Sequence, residues 1–339
     1  MSRNNITVSR NRADAFVIVP QYGPYPYSEL QIVGFVILGT FPALSLITCG
    51  LRVYSRQLVG GFAADDWLIF FALFLAIPQA IFTSFFLRGG YWGIHDSDIP
   101  PEVPPNLGGF WNFMTGLCAN PTLGIVKASA LLFLVRLGGI KRRVLISCRV
   151  LITLNLAHMV TFFTVFLFQC WPIQSRWMGG GSAKCLRVEV LSLTMASLSI
   201  VTDFLTLAVP FALFLNLRVS KRMRNALLTV FLLGGIVTIM SIVRLYYIIR
   251  LNYLHPEDRH YSIGFVCSCV ELNLAIITAS VPALWPLGRR WFPRAFASLG
   301  IDRPHCYPDI EIVSVTSGLG QTPKVYKSKI VWRDKGDSS

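Results

Sequence analysis

Residues 123–137 read LGIVKASALLFLVRL. Apart from Lys127 and the terminal Arg136, every side chain in the stretch is apolar or small. An ionised group at mid-bilayer costs about 2.5–3.5 kcal/mol on insertion scales unless a partner compensates it. The stretch therefore predicts a membrane helix, with a carboxylate on some other helix answering Lys127.

Working outward, the same character fills most of the chain. Of 339 residues, 53% are hydrophobic and only 14% charged, where a soluble domain carries about 25% charged residues. Apolar runs of about 20 residues, enough to cross a hydrocarbon core, lie near 30–51, 66–87, 108–137, 146–169, 188–217, 226–249 and 263–286. Helices satisfy their own backbone hydrogen bonds in lipid, and the short alternating segments of a barrel are missing. The expected fold is all-α: a polytopic, multi-pass bundle of seven transmembrane helices over residues 30–287, in a plasma membrane or endomembrane.

The formal charge of +14 is scattered between apolar runs and forms no compact basic patch, which argues against a nucleic-acid partner. It reads instead as topology. One set of loops holds Arg52 and Arg56, Arg136 to Arg149 with Lys141, Arg142 and Arg143, Arg218 to Arg224, and Arg289, Arg290, Arg294 and Arg303. The opposite set holds fewer: Arg10, Arg12, Arg88, Arg176, Lys184, Arg187, Arg250 and Arg259. The N-terminus is expected outside and the C-terminus inside, with anionic lipids of the inner face as partners.

Residues 1–29 read as an outer, extracellular or lumenal tail without the apolar core of a signal peptide, so the first helix is the expected insertion signal. Asn5 begins a glycosylation sequon. Cys170 and Cys185 share an outer loop and are the preferred disulfide; Cys118, the rival partner, lies about 15 Å below its helix end. The outer loop RGGYWGIHDSDIPPEVPPNLGG has two readings. Trp92 and His95, facing Trp111 and Trp177, line a ligand entrance, or the loop is a connector anchored by interfacial tryptophans. A metal at His95 and Asp96 lacks a nearby third ligand, and no metal site is expected. Residues 288–301 suit a short interfacial helix, and 302–339 a disordered, basic cytoplasmic tail.

Lys127 has company. Asp203 interrupts the fifth helix, Arg244 the sixth and Glu271 the seventh. Counted from the inner helix ends at about 1.5 Å per residue, Arg244 and Glu271 lie at about 27 and 22 Å, and Lys127 and Asp203 at about 14 and 21 Å. The expected pairs are Arg244 with Glu271 and Lys127 with Asp203, and they serve either function or helix register. Asp65 and Asp66 in ADDWLIF are expected to cap the second helix. His158, with Asn155 on nearly the same face, reads as a buried polar group satisfied by a neighbouring helix. Pro42, Pro78, Pro121, Pro210 and Pro282 supply kinks for a switching bundle.

From about Gly34 to Leu287 the chain resembles the fungal rhodopsin-domain integral membrane proteins, of the satratoxin-cluster membrane protein type. The likeness rests on RVYSR then DDWL, GIH, KASALLFLVR, QCWPIQSRW followed by Cys185, Asp203 ahead of VPFALFLNL, SIVRL, and ELNLAIITASVPALWPL. It implies a fungal seven-helix fold and marks Asp65, Asp66, His95, Lys127, Cys170, Cys185, Asp203, Arg244 and Glu271 as family positions. The chain departs at Asn120-Pro121, where a more continuous helix is expected. It also has no lysine in the seventh helix, where light-sensing rhodopsins hold retinal through a Schiff base, so no cofactor is expected.

The function expected is receptor-like: a small-molecule ligand biases a two-state bundle read by a cytosolic signalling partner. The alternative is a transporter or membrane accessory of a secondary-metabolite (mycotoxin) pathway. No nucleophile, base and orienter stand together, and no enzyme is expected.

Overall fold

The computed structural model describes residues 27–59, 61–99, 108–138, 142–178, 184–215, 221–254 and 258–291. The Asn5 sequon, Glu102, most of the 288–301 segment and the 302–339 tail lie outside the described residues. The chain divides into two units, Met1–Leu287 and Gly288–Ser339.

Seven long helices make up the first unit: α1 (Glu29–Val59), α2 (Ala64–Gly89), α3 (Gly109–Gly138), α4 (Arg142–Leu167), α5 (Val188–Leu215), α6 (Lys221–Tyr253) and α7 (Gly264–Ser280). Among the described residues, seven helical segments are long and apolar enough to cross a membrane, and the protein is a multi-pass membrane protein. Its outer surface agrees with that. Trp67, Phe74 and Leu232 are each at least 67% exposed, a waste of apolar surface in water and a fit to acyl chains.

Consecutive helices pack side by side, and α1 closes on α7. α3 also meets α5 and α7, which makes it the central helix. Its most apolar window is 56% buried, against 11% in α4 and α6. Small residues allow the close approach at the centre. A Cβ on Gly124 would stand 2.7 Å from the Met159 sulfur of α4. α3 runs unbroken through Asn120-Pro121, where the sequence suggests an interruption. The Thr122 hydroxyl also donates 2.7 Å to the Cys118 carbonyl one turn back.

The run expected over 263–286 is divided. α7 ends at Ser280, a 3₁₀ turn covers Val281–Leu284, and a short helix, α8 (Trp285–Trp291), follows. Pro282 sits in the turn and brings no amide hydrogen, so the α-helical ladder lapses there.

At one end of the bundle, β1 (Cys170–Trp171) and β2 (Lys184–Cys185) pair antiparallel with Cys170 opposite Cys185, and a disulfide joins the two. The same end carries a tight turn after α2. There Gly93, at φ 86°, donates its amide to the His260 carbonyl at 2.7 Å, and Gln31 of α1 donates to the Trp92 carbonyl at 2.9 Å. At the opposite end Arg52 and Arg56 of α1 meet the start of α2.

Candidate functional site

The polar centre is built from α3, α5, α6 and α7. Lys127 Nζ lies 3.0 Å from Asp203 Oδ1 and donates to the Thr202 hydroxyl at 3.0 Å, the Ser199 hydroxyl at 3.2 Å and the Ser199 carbonyl at 3.3 Å. Ser199, Thr202 and Asp203 share one face of α5 through their three- and four-residue spacing. The ammonium therefore has a carboxylate and a ring of oxygens about it, the compensation a buried charge requires.

Arg244 of α6 approaches Glu271 of α7, with Nε 3.1 Å from Oε2. The angle is poor, and both atoms lack a hydrogen-bond partner. This pair is an electrostatic contact without the directional bond that Lys127 enjoys. Glu271 is fully buried, and its other oxygen faces Ser241.

Ser241 joins the two pairs. Its hydroxyl is 2.8 Å from Glu271 Oε1, 3.0 Å from Asp203 Oδ2 and 3.2 Å from the Val237 carbonyl. One hydrogen faces three acceptors, so two carboxylates compete for a single donor. A hydroxyl also accepts, so a proton held by either acid makes a continuous bridge through Ser241 to the other. The expected pairings are brought together, but as one cluster, and Ser241 was the residue that sequence reasoning missed. Its signal was a position three before Arg244 on the same helix.

Two cavities flank Lys127. The larger, about 180 Å³, is lined by residues of α3, α4, α5, α6 and α7, among them Lys127, Asn155, His158, Ser199, Arg244 and Phe265. The smaller, about 80 Å³, lies beyond the ion pair among Lys127, Phe133, Asp203, Thr206, Thr238 and Pro282. Asn155 and His158 depart from their expected satisfaction. The Asn155 amide donates to the Gly124 carbonyl at 2.7 Å, yet Asn155 Oδ1 and His158 Nε2 have no hydrogen-bond partner. The Gly124–Met159 approach brings the helices close without presenting a donor to either atom.

The proposed outer ligand residues do not form one box. Trp92 packs on Phe86, Phe265 and His260, whereas Trp111 packs on Phe82, Phe85 and Phe110, and Trp177 on Phe110 and Phe113. His95 stacks on Tyr261 at 3.9 Å, with Nδ1 3.1 Å from Asp258. Asp96 accepts from the amides of Arg259 and His260 at 3.0 and 3.2 Å and lies 2.6 Å from the His260 ring. These groups hold the 95–98 and 258–261 segments together. Desolvation pushes the Asp96 carboxyl up, but the His260 ring, the two amides and the charge on His260 outweigh it and hold the carboxyl below its usual value.

Asp65 and Asp66 also differ from expectation. The N-cap of α2 is Ala63, and the Asp66 carboxylate reaches back to accept the Ala63 amide at 3.0 Å. Capping occupies only that oxygen. Arg52 Nε donates 2.7 Å to Asp66, its Nη2 2.8 Å to Asp65, and its Nη1 2.9 Å to the Ala279 carbonyl. Arg56 adds contacts of 3.1 Å to both acids, and Arg136 of α3 comes within 3.7 Å of Asp65. Arg52, which served the sequence reading only as a topology marker, is 1% exposed. Its spacing from Arg56, four residues on one helix face ahead of the two acids, was the available signal.

Comparison with known proteins returns to the same region. The Fungal rhodopsin domain model matches residues 51–290, which include every charged residue of the cluster and of the arginine fork. A SAT4 family membrane protein of Emericella nidulans is 27% identical over 186 residues, 54% of this chain and 47% of that protein. Receptor GIN3 of Arthrobotrys oligospora is 24% identical over 305 residues, 85% of this chain and 70% of the receptor. The polyenoic acids biosynthesis gene cluster protein Ba17b of Metarhizium anisopliae is 26% identical over 209 residues, 59% of this chain and 56% of Ba17b. The matches thus span about half the length of the first and third relatives.

Proposed function

Because the chain belongs to the fungal rhodopsin domain family, we propose that it is a receptor-like sensor that works without retinal, with the 180 Å³ cavity beside Lys127 as its ligand site. The observation that carries this reading is the position of the cavity: its wall is the same lysine that holds Asp203 and, through Ser241, Glu271. A ligand that engages Lys127 or Arg244 changes the balance of the whole cluster. It shifts the bundle only through unequal affinity for two arrangements. α3 runs from the cavity to Arg136 and the Arg52–Asp65–Asp66 fork, which offers a route to the opposite end and to a cytosolic partner. The likeness to a protein named as a receptor over 85% of the chain supports the same reading.

Retinal does not fit the residues present. Residues 264–291 contain no lysine, and Lys127, on α3, is engaged by Asp203 and three oxygens. We place the disulfide end outside and the arginine end inside, on the Lys and Arg distribution of the loops.

A transporter or pathway accessory is the second reading, favoured by the two cavities on either side of one ion pair and by a relative named for a biosynthetic gene cluster. One pair of measurements separates them, with Lys127→Gln/Asp203→Asn compared with wild type. The receptor reading expects faster amide hydrogen exchange near 52–56, 64–66 and 129–136, at the far end of the bundle, and no proton leak in dye-loaded proteoliposomes. A leak with unchanged exchange at that end sinks the receptor reading in favour of the transporter.

A further inference from the structure

Resting on the reading of the Lys127 cavity as the ligand site, we infer that its ligand is a small hydroxylated carboxylic acid with an aromatic or branched apolar body. The charge on the walls is one-sided. Lys127 and Arg244 both line the cavity, whereas Asp203 and Glu271, which face them from outside it, do not, and among the described residues no other Asp or Glu does. A cationic guest meets both cations first, with their carboxylates behind them. A carboxylate gains a charge-assisted hydrogen bond from Arg244 and the attraction of Lys127, whose N–H groups already face Asp203, Thr202 and Ser199. Arg244 is placed for that bond, because its Nε contact with Glu271 at 3.1 Å lacks a hydrogen-bonding angle and the guanidinium can tilt toward the cavity without breaking a directional bond.

Asn155 adds a demand of the opposite kind. It is 2% exposed, and its amide nitrogen is identified by the bond to the Gly124 carbonyl, so Oδ1 is the atom left without a donor. A buried acceptor in that state is destabilising. A hydroxyl on the ligand satisfies it. His158 Nε2 borders the same space and is also unpartnered. The remaining wall is mostly apolar, with Leu123, Met159, Phe162 and Phe265 beside the polar Asn112, Asn120 and Ser268. Size fits such a body: an apolar cavity of about 150 Å³ takes benzene, so about 180 Å³ takes one ring with a carboxylate and a hydroxyl.

The test is isothermal titration of the protein in lipid nanodiscs with mandelate, 3-phenyllactate and 4-hydroxyphenylacetate, their deoxy parents phenylacetate and 3-phenylpropionate, and the primary amides of all five. At least one hydroxy acid is expected to bind saturably, with its amide and its deoxy parent each about tenfold weaker. Arg244→Gln is expected to weaken the acid and leave the amide unchanged, and Asn155→Leu to abolish the preference for the hydroxy acid over its parent. If Arg244→Gln does not fold, Arg244→Gln/Glu271→Gln strands no charge and reads the same loss. Amides that bind as well as the acids overturn the inference and leave the cavity as a ligand site. Absence of saturable binding by every acid in the panel also overturns it, while the receptor reading still answers to the hydrogen-exchange experiment.

Discussion

Replacing Lys127 by Met while Asp203 remains strands a carboxylate 7% exposed in the bundle. Breaking one side of a buried pair typically costs about 3–5 kcal/mol, whereas removing both charges is often close to neutral. We therefore expect Lys127→Met to lower the thermal stability of the detergent-solubilised protein sharply, and Lys127→Met/Asp203→Leu to recover most of the loss. Ser241→Ala tests the joint between the pairs. It removes a hydroxyl that meets both carboxylates, so its effect should be non-additive with Glu271→Gln in a double-mutant cycle, with a coupling of about 0.5–3 kcal/mol. Simple additivity would separate the clusters. The four charges were legible in the sequence because each breaks an apolar run, whereas Ser241 is a common residue in membrane helices, and its place three before Arg244 shows a shared face but not that two acids converge on it.

At the scale of elements, a disulfide and a carboxylate–imidazole contact each join segments at one end of the bundle. The disulfide closes a separation of 15 residues between the strands Cys170–Trp171 and Lys184–Cys185. In the chain-entropy model such a loop contributes about 3 kcal/mol, and Cys170→Ser/Cys185→Ser is expected to lower the unfolding midpoint without abolishing membrane insertion. The contact of Asp96 with His260 and the 259–260 amides is pH-dependent in a definite direction. A carboxyl held below its unfolded value contributes stability above the ordinary carboxylate range, and that stability is lost as pH falls through the lowered folded value. Amide exchange at Arg259 and His260, corrected for intrinsic rates, should lose protection over that acidic window, and Asp96→Asn should remove the dependence. The seven spans were readable from hydropathy, although their ends were not: α1 runs on to Val59 and α7 stops at Ser280. The partners of His95 and Asp96 were not, because they come from a loop some 163 or 164 residues further along the chain.

For the whole molecule, the proposed direction in the membrane predicts that a tag at the N-terminus is reached by antibody on intact cells and a tag at the C-terminus only after permeabilisation; the reverse pattern inverts the bundle. Residue composition was enough to determine seven apolar crossings, because hydrocarbon forces each span to satisfy its own backbone and to be about 20 residues long. It was also enough to determine that Lys127, Asp203, Arg244 and Glu271 needed partners, since the cost of a lone charge in lipid does not depend on the fold. Tertiary structure alone decided the rest: that Ser241 ties two ion pairs into one cluster, that Arg52 bridges both acids of α2 and the Ala279 carbonyl, and that a cavity with two cations and an orphaned Asn155 oxygen opens beside Lys127. Those features depend on the rotation and depth at which α3, α4, α5, α6 and α7 meet, and the apolar pattern along any one helix leaves rotation and depth free, because lipid and a neighbouring helix accept the same residues.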